Sequence, residues 1–275
     1  MAKAINSEPR DPKNTLVVDS LNLAYRWKIA GNDYDLPSGF KDTVQSLAKS
    51  YDCGRVLVLA DGGSAWRKSL HPGYKLSRKL KFDNQTEEEK KSSEEFFGYY
   101  QNALDNCGFP VIRLPGVEAD DIAAYIVENK YKLDINGIWL ISSDKDWDLL
   151  IEEDVSRFST VTRKEVTVDN WEYPVTREQY ADYKTLIGDP GDDIPGVDGI
   201  GPKRAAELIE QYGSVFDIMA NLPLNGKAKY IANLNESKES MLLSYQLIDL
   251  RSFHEEAIGD NLGKLESILE EIYLR

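Results

Sequence analysis

Leu16-Val-Val-Asp19 is a short apolar, β-branched run that ends in a carboxylate, and Val56-Leu-Val-Leu-Ala-Asp61 repeats the pattern further on. Between them Phe40, Val44, Leu47, Ala48 and Tyr51 recur at helical spacing. That is an amphipathic crossover of the strand-helix-strand kind, which two parallel strands require. Working outward, Phe96, Phe97, Tyr100, Ala103, Leu104 and Cys107 mark a helix, and Val111 to Leu114 a strand. Ile122, Tyr125 and Ile126 form the apolar face of another helix, and Ile138 to Ile141 is a fourth strand-like run closing on Ser142, Ser143 and Asp144. The alternation predicts an α/β fold with a largely parallel central sheet and flanking helices, the strands running to about Ser159.

Beyond residue 170 the strand pattern stops. Tyr180, Tyr183 and Ile187 suit one helix, and Ala205, Leu208, Ile209 and Tyr212 another. Between them lies Gly188-Asp-Pro-Gly-Asp-Asp-Ile-Pro-Gly-Val-Asp-Gly-Ile-Gly201, followed by Pro202 at a first helical position. The expected organisation is an α/β domain over 15–170 and a helical region over 171–275, with two helices joined by a tight hairpin at about 176–212. The length of 275 residues agrees with a main domain plus a smaller one.

Hydrophobic residues make up 41% of the chain, so it folds. No apolar run approaches the roughly 18 residues of a membrane span. The polar start Met1 to Asn14 lacks the apolar stretch of a signal peptide. A soluble, cytoplasmic protein with no membrane association is expected. Cys53 and Cys107 stand far apart, outside any metal-binding or disulfide pattern, and read as reduced core residues.

Three strands deliver Asp19, Asp61 and Asp144 to one sheet edge, the place where ligands bind in open parallel sheets. In Val117-Glu-Ala-Asp-Asp121, Glu118 and Asp121 lie three apart at a helix start, and Asp120 can turn toward the same edge. Asp144 and Asp146 sit two apart, and Asp189 and Asp192 occupy the glycine-rich loop. Such acid density repels itself unless cations are bound. Oxygen-only donors select hard ions, magnesium or manganese before zinc. More carboxylates than one ion accepts point to two ions; roughly 3.5–4 Å apart, such a pair stabilises both oxygens of a phosphodiester displacement. Taken singly, each acid reads as a helix cap or turn residue before a ligand, and for Asp121, Asp148 and Asp193 the two readings stay level.

The formal charge of −14 argues against a nucleic-acid partner until its distribution is considered. The acids just named carry much of the excess. From Ser64 to Phe82 there are basic residues (Arg67, Lys68, Lys75, Arg78, Lys79, Lys81) and no acid. Lys75, Arg78 and Lys79 share a helical face that can grip phosphates, and Tyr74 beside them can stack on a base. The ordinary alternative is a solvated face. Gly73 and the crowded positive charge disfavour a stable isolated helix there. The Gly199-Ile-Gly201 turn can present N–H groups to a phosphate, with Lys203 and Arg204 adding charge, or it is an ordinary helix connection. His71 and His254 lack metal-like spacing.

Together these segments resemble the 5′-nuclease superfamily, which includes phage flap endonucleases and the 5′-nuclease domain of bacterial DNA polymerase I. The resemblance runs from about Leu16 to Leu250. It rests on Val18-Asp-Ser-Leu-Asn22, Ala60-Asp-Gly62, Gly73-Tyr-Lys75 with Arg78, Gly116-Val-Glu-Ala-Asp-Asp121, Ser143-Asp-Lys-Asp146 and Gly188 to Arg204, in family order. The length and the Thr86-Glu-Glu-Glu-Lys90 stretch look most like a phage-type enzyme. Ser20, where glycine is frequent, and Lys145, between paired aspartates, are mild departures that remove no ligand.

The resemblance implies that Asp19, Asp61, Glu118 and Asp120 hold one metal, while Asp144, Asp146, Asp189 and Asp192 build a second site, Asp144 facing both. It implies a helical arch over about 64–92, under or through which a free 5′ strand passes, with Lys75 and Arg78 steering the scissile phosphate. Arg26 matches a basic position that contacts DNA. Gly196 to Lys203 resembles a helix-hairpin-helix element that holds duplex and often binds potassium through carbonyls. The implied activity is metal-dependent hydrolysis of flaps, nicks and 5′-ended DNA by a monomer acting in replication or repair, in a cell or, for a viral protein, in its host's cytoplasm. It leaves a 5′-phosphate and a 3′-hydroxyl, with no covalent intermediate. A non-cutting branch-binding module is opposed by the intact carboxylates. A toxin-type acidic-site ribonuclease shares the strand-end acids but normally lacks the hairpin loop.

Overall fold

A computed structural model of the protein describes residues 10–274. The polar start read above for its lack of a signal peptide lies largely outside them. The chain opens with β1 (Asp11–Asp19), α1 (Ser20–Ala30), α2 (Leu36–Ser50), β2 (Cys53–Leu59), α3 (Ala65–Leu70), α4 (Leu76–Asp83), α5 (Glu87–Asn106) and β3 (Val111–Ile112). It continues through α6 (Ala119–Glu128), β4 (Gly137–Ile141), β5 (Val155–Phe158) and β6 (Glu165–Val166). Seven helices follow: α7 (Tyr180–Ile187), α8 (Pro202–Tyr212), α9 (Val215–Ala220), α10 (Lys229–Glu236), α11 (Lys238–Ile248), α12 (Leu250–Ile258) and α13 (Leu262–Tyr273).

The strands form one sheet in the order β3-β2-β1-β4-β5-β6, parallel except for the antiparallel β5–β6 edge. The central strand β1 is apolar on both faces. Leu16 and Val18 enter a core with Phe40 and Val44 of α2 and Phe96 of α5, while Val17 enters another with Ile122 and Ile126 of α6. Burial on both sides is what makes a parallel strand read as an unbroken hydrophobic run. Register then fixes the acids. Val18 pairs with Ile141, and Asp19 with Leu59, so Asp19, Asp61 and Asp144 all emerge at the carboxyl edge.

Two strands escaped the sequence reading. β5 carries Ser156 and Arg157 within Val-Ser-Arg-Phe, and β6 is only two residues long, so neither shows a continuous apolar run. The C-terminal helices share the α6-side core, whose members extend from Val17 to Tyr273. Tyr273 also donates its hydroxyl to Thr15 Oγ1 at 3.2 Å and stacks beneath Arg55, tying α13 to the first strands. Both cysteines are buried and unpaired. Among the described residues no helix is long and apolar enough to cross a membrane.

Candidate active site

Asp19 caps α1, accepting from the Asn22 N–H at 3.1 Å, and its other oxygen accepts from Ser142 Oγ at 2.8 Å. Burial, then the neighbouring Asp61 and Asp144, pushes its pKa up to about 7. Asp61 accepts from the Ala119 N–H at 2.9 Å, which fixes it against the start of α6. Gly62 is obligatory beside it: a Cβ there would lie 1.8 Å from the Leu114 carbonyl oxygen.

Glu118, Asp120 and Asp121 open α6, with one carboxylate oxygen from each lying within 4.8 Å of the other two. Burial raises the Glu118 pKa, but the Lys75 and Arg67 cations outweigh it and leave the group below its ordinary value. For Asp120 the same two cations do not outweigh burial. Its Oδ1 is buried without a hydrogen bond, and burial together with Glu118 and Asp121 drives its pKa well up. Asp121 is different again, because Arg67 donates to both its oxygens at 2.7 and 2.8 Å. That ion pair, 1–2% exposed, occupies the carboxylate that the sequence left open between ligand and structural roles.

Past β4, Asp144 is exposed and accepts from the Asp146 N–H at 3.0 Å. Asp146 is pushed up to about 6, chiefly by burial. Lys184, buried in α7, contacts Asp146 and donates to Asp189 at 2.9 Å. The sequence reading missed this lysine: its partners lie 38 residues before it and 5 after it, and only its position near the apolar side of a helix hinted at burial. Asp148, also left level above, is taken by Arg157 and by the Tyr173 hydroxyl at 2.6 Å, so it is structural.

The basic segment forms α3 and α4. None of α4 is buried. Its start is held instead by the loop before α8: Asp193 accepts from the Ser77 N–H at 2.7 Å, and Arg78 Nε donates to the Gly191 carbonyl at 3.1 Å. Lys75 contacts Glu118 and lies 3.4 Å from Asp192; Arg78 pairs with Asp192. Lys79 is exposed. Tyr74 corrects the stacking expectation. It is 3% exposed, with its hydroxyl donating toward Glu118 and to Asp192 at 3.0 Å, so no base can stack on its ring in this arrangement. Arg67 likewise turns inward, leaving the cationic surface.

The α7–α8 hairpin brings Gly188 and Gly196 into backbone contact. A Cβ on Gly188, at φ +75°, would sit 2.3 Å from the Gly196 nitrogen. Gly199 and Gly201 lie at the exposed turn before α8, with Lys203 exposed and Arg204 donating to the Gly199 carbonyl at 2.6 Å. Arg26 of α1 is half-buried.

A family model described as 5′-3′ exonuclease, N-terminal resolvase-like domain, matches residues 14–184. A second, 5′-3′ exonuclease, C-terminal SAM fold, matches 175–270. The chain belongs to the 5′–3′ exonuclease family of the 5′-nuclease superfamily.

Among relatives in this family, the flap endonuclease of Escherichia phage T5 is 43% identical over 259 residues, covering 92% of this chain and 89% of that protein. The flap endonuclease Xni of Shewanella woodyi is 30% identical over 244 residues, covering 86% and 92%. A solved structure of the bacteriophage T5 flap endonuclease, a pseudo-enzyme-product complex with DNA and metal ions, has a TM-score of 0.91 at 41% identity, covering 95% of this chain and all of that one.

Proposed function

We propose that the chain is a structure-specific 5′-nuclease that hydrolyses phosphodiesters at flaps, nicks and 5′ ends of DNA, with two divalent ions, leaving a 5′-phosphate and a 3′-hydroxyl. The observation that carries this reading is the gathering of Asp19, Asp61 and Asp144, from three parallel strands, beside the carboxylates of α6 and of the α7–α8 loop. Family membership supports it.

The donor set suits hard cations. Every candidate ligand is a carboxylate, Asp120 keeps a buried oxygen without a partner, and Asp19 carries a pKa of about 7 that a nearby cation relieves. We assign Asp19, Asp61, Glu118 and Asp120 to one magnesium, and Asp144, Asp146, Asp189 and Asp192 to the other, with manganese able to substitute. Bound there, the ions supply Lewis-acid activation of water and neutralise charge on the phosphoryl oxygens. Lys75 and Arg78 supply the chain's own positive charge. With Glu118 and Asp192 engaged by bound ions, they would be free to steer the scissile phosphate and stabilise its developing charge. Arg26 and Lys79 hold backbone phosphates. The Gly199 and Gly201 N–H groups, with Lys203 and Arg204, hold duplex DNA. A potassium ion on the hairpin carbonyls would have to displace Arg204 from Gly199. In this reading residues 15–170 form the nuclease domain, with the arch at about 64–92, residues 171–275 hold duplex, and the enzyme is a monomer.

Asp144→Asn tests the reading: cleavage is lost while flap binding survives, and undiminished turnover removes Asp144 from the site. Lys75→Ala lowers the saturated rate more than affinity; a pure affinity loss takes Lys75 out of the chemistry.

A further inference from the structure

A cavity of about 350 Å³ opens between α1, α2 and the turn that follows β5. Arg26, Asp42, Thr43, Ser46, Thr160 and Arg163 are among its lining residues. In a chain with 47 acids against 33 lysines and arginines, Arg67, Arg78, Arg157, Arg177 and Arg251 close onto carboxylates. Arg26 and Arg163 behave differently. Among the described residues neither forms an ion pair, although Asp42 lines the same cavity. Arg26 is half-buried, and its guanidinium pKa is pushed down by that burial and then by Arg163. Two like charges are thus held near each other without internal neutralisation, an arrangement that an anion relieves.

Thr160 adds an independent observation. It is 5% exposed, it lines this cavity, and its hydroxyl has no hydrogen-bond partner. Buried hydroxyls are nearly always paired, so an unpaired one at a cationic cavity marks a missing acceptor or donor. The turn is also firmly placed. The Val161 N–H and Ser159 Oγ both donate to Ser143 Oγ, at 3.4 and 2.9 Å, and Arg163, at φ +59°, returns its N–H to the Ser159 carbonyl at 2.9 Å. Ser143 directly precedes Asp144, so the cavity wall and the acidic cluster hang from one loop. In the sheet order, the β5–β6 end lies away from β2 and β3, whose following segments lead to α3, α4 and α6.

We propose that Arg26 and Arg163, with the Thr160 hydroxyl, form a subsite that grips a single backbone phosphate of the bound DNA. The proposal rests on the nuclease reading above and deepens it. Guanidinium forks suit a phosphodiester, and two of them on one phosphate hold both its position and its orientation. Because Ser143 couples this wall to Asp144, the subsite sets which phosphodiester of the strand reaches the carboxylates.

The test is flap-DNA affinity as a function of salt, with calcium replacing magnesium and the DNA recovered intact, alongside mapping of the cut position in magnesium. Arg26→Ala and Arg163→Ala are each expected to weaken binding about tenfold or more with little change in salt slope, because the remaining arginine still neutralises the shared phosphate. The double variant lowers the slope by about 0.9, the loss of one phosphate contact. Cuts by each variant spread over neighbouring positions. Thr160→Val weakens binding while its melting temperature holds or rises, because an unpaired buried hydroxyl is removed. Unchanged affinity in Arg163→Ala and Thr160→Val, with a wild type that binds and cuts flaps, overturns the subsite and leaves the nuclease reading standing. A slope loss of about 1.8 in the double variant gives each arginine its own phosphate and overturns the shared site. A wild type that neither binds nor cuts flap DNA overturns both.

Discussion

The buried ammonium of Lys184 lies against the carboxylate of Asp146, 38 residues earlier in the chain, and donates on its other side to Asp189. The lysine neutralises two of the acids assigned to the second metal. It holds Asp189 below its ordinary pKa, while Asp146 still rises to about 6 through burial. Replacing it leaves two half-buried acids without a counter-charge, a cost toward the roughly 3–5 kcal/mol of breaking a fully buried pair. Lys184→Met is therefore expected to melt several degrees lower in EDTA and to gain more from added magnesium than the wild type does. Equal magnesium-induced shifts in the two proteins contradict the pairing.

Tyr74 separates a hydrogen-bonding role from a stacking one. Its hydroxyl joins Glu118 to Asp192, so Tyr74→Phe already removes what it contributes, about 1–3 kcal/mol of coupling between the segment before α4 and the acidic loops. Cleavage at saturating DNA falls in that variant. A Phe variant as active as wild type, with loss only in Tyr74→Ala, restores the ring as the functional part.

Arg67 is a structural counter-ion within a segment that reads as DNA-binding. It donates to Asp121, Glu118 and the Leu247 carbonyl, joining α3 to α6 and α11. Arg67→Ala strands a buried carboxylate and is expected to lose about 3–5 kcal/mol in urea unfolding, whereas the exposed Lys79→Ala stays within about 0.5 kcal/mol. Similar stability of the two variants refutes this division of the cationic run.

Asp182 gives a pH dependence away from the carboxylate cluster. It accepts from the Val215 N–H at 2.9 Å, and burial, with Asp249 and Asp217 nearby, pushes its pKa up from 3.8 to about 6. The folded state therefore holds the proton more tightly than the unfolded one. Its contribution is present in full below pH 3.8 and is lost as pH rises through 6. Asp182→Asn keeps the acceptor and removes the charge, so its stability advantage over wild type grows between pH 4 and 7, toward at most about 3 kcal/mol. A difference that stays flat with pH contradicts the raised value.

The parts of the fold and site legible in the sequence are those where one segment carries its own signal. Leu16 to Asp19 and Val56 to Asp61 reveal buried parallel strands and their terminal acids because both faces of each strand are apolar. Pro202 and Gly188 mark the hairpin because backbone geometry demands them. What escaped depends on pairing between distant segments. Asp121 and Asp148 look like their neighbours until Arg67 and Arg157 close on them, and Tyr74 looks like a stacking residue until the Asp192 loop covers it. The short strands β5 and β6 have no apolar run of their own, since one holds Arg157 inside it and the other ends the sheet after two residues.

The most direct test of the nuclease reading is cleavage of an end-labelled 5′-flap duplex in magnesium, beside an EDTA control and a matched single-stranded RNA. Magnesium-dependent cutting near the flap junction, abolished by EDTA, is the expected result. Tight flap binding without cutting in magnesium or manganese contradicts it and makes the protein a branch-binding module, while cutting of the RNA alone makes it a ribonuclease.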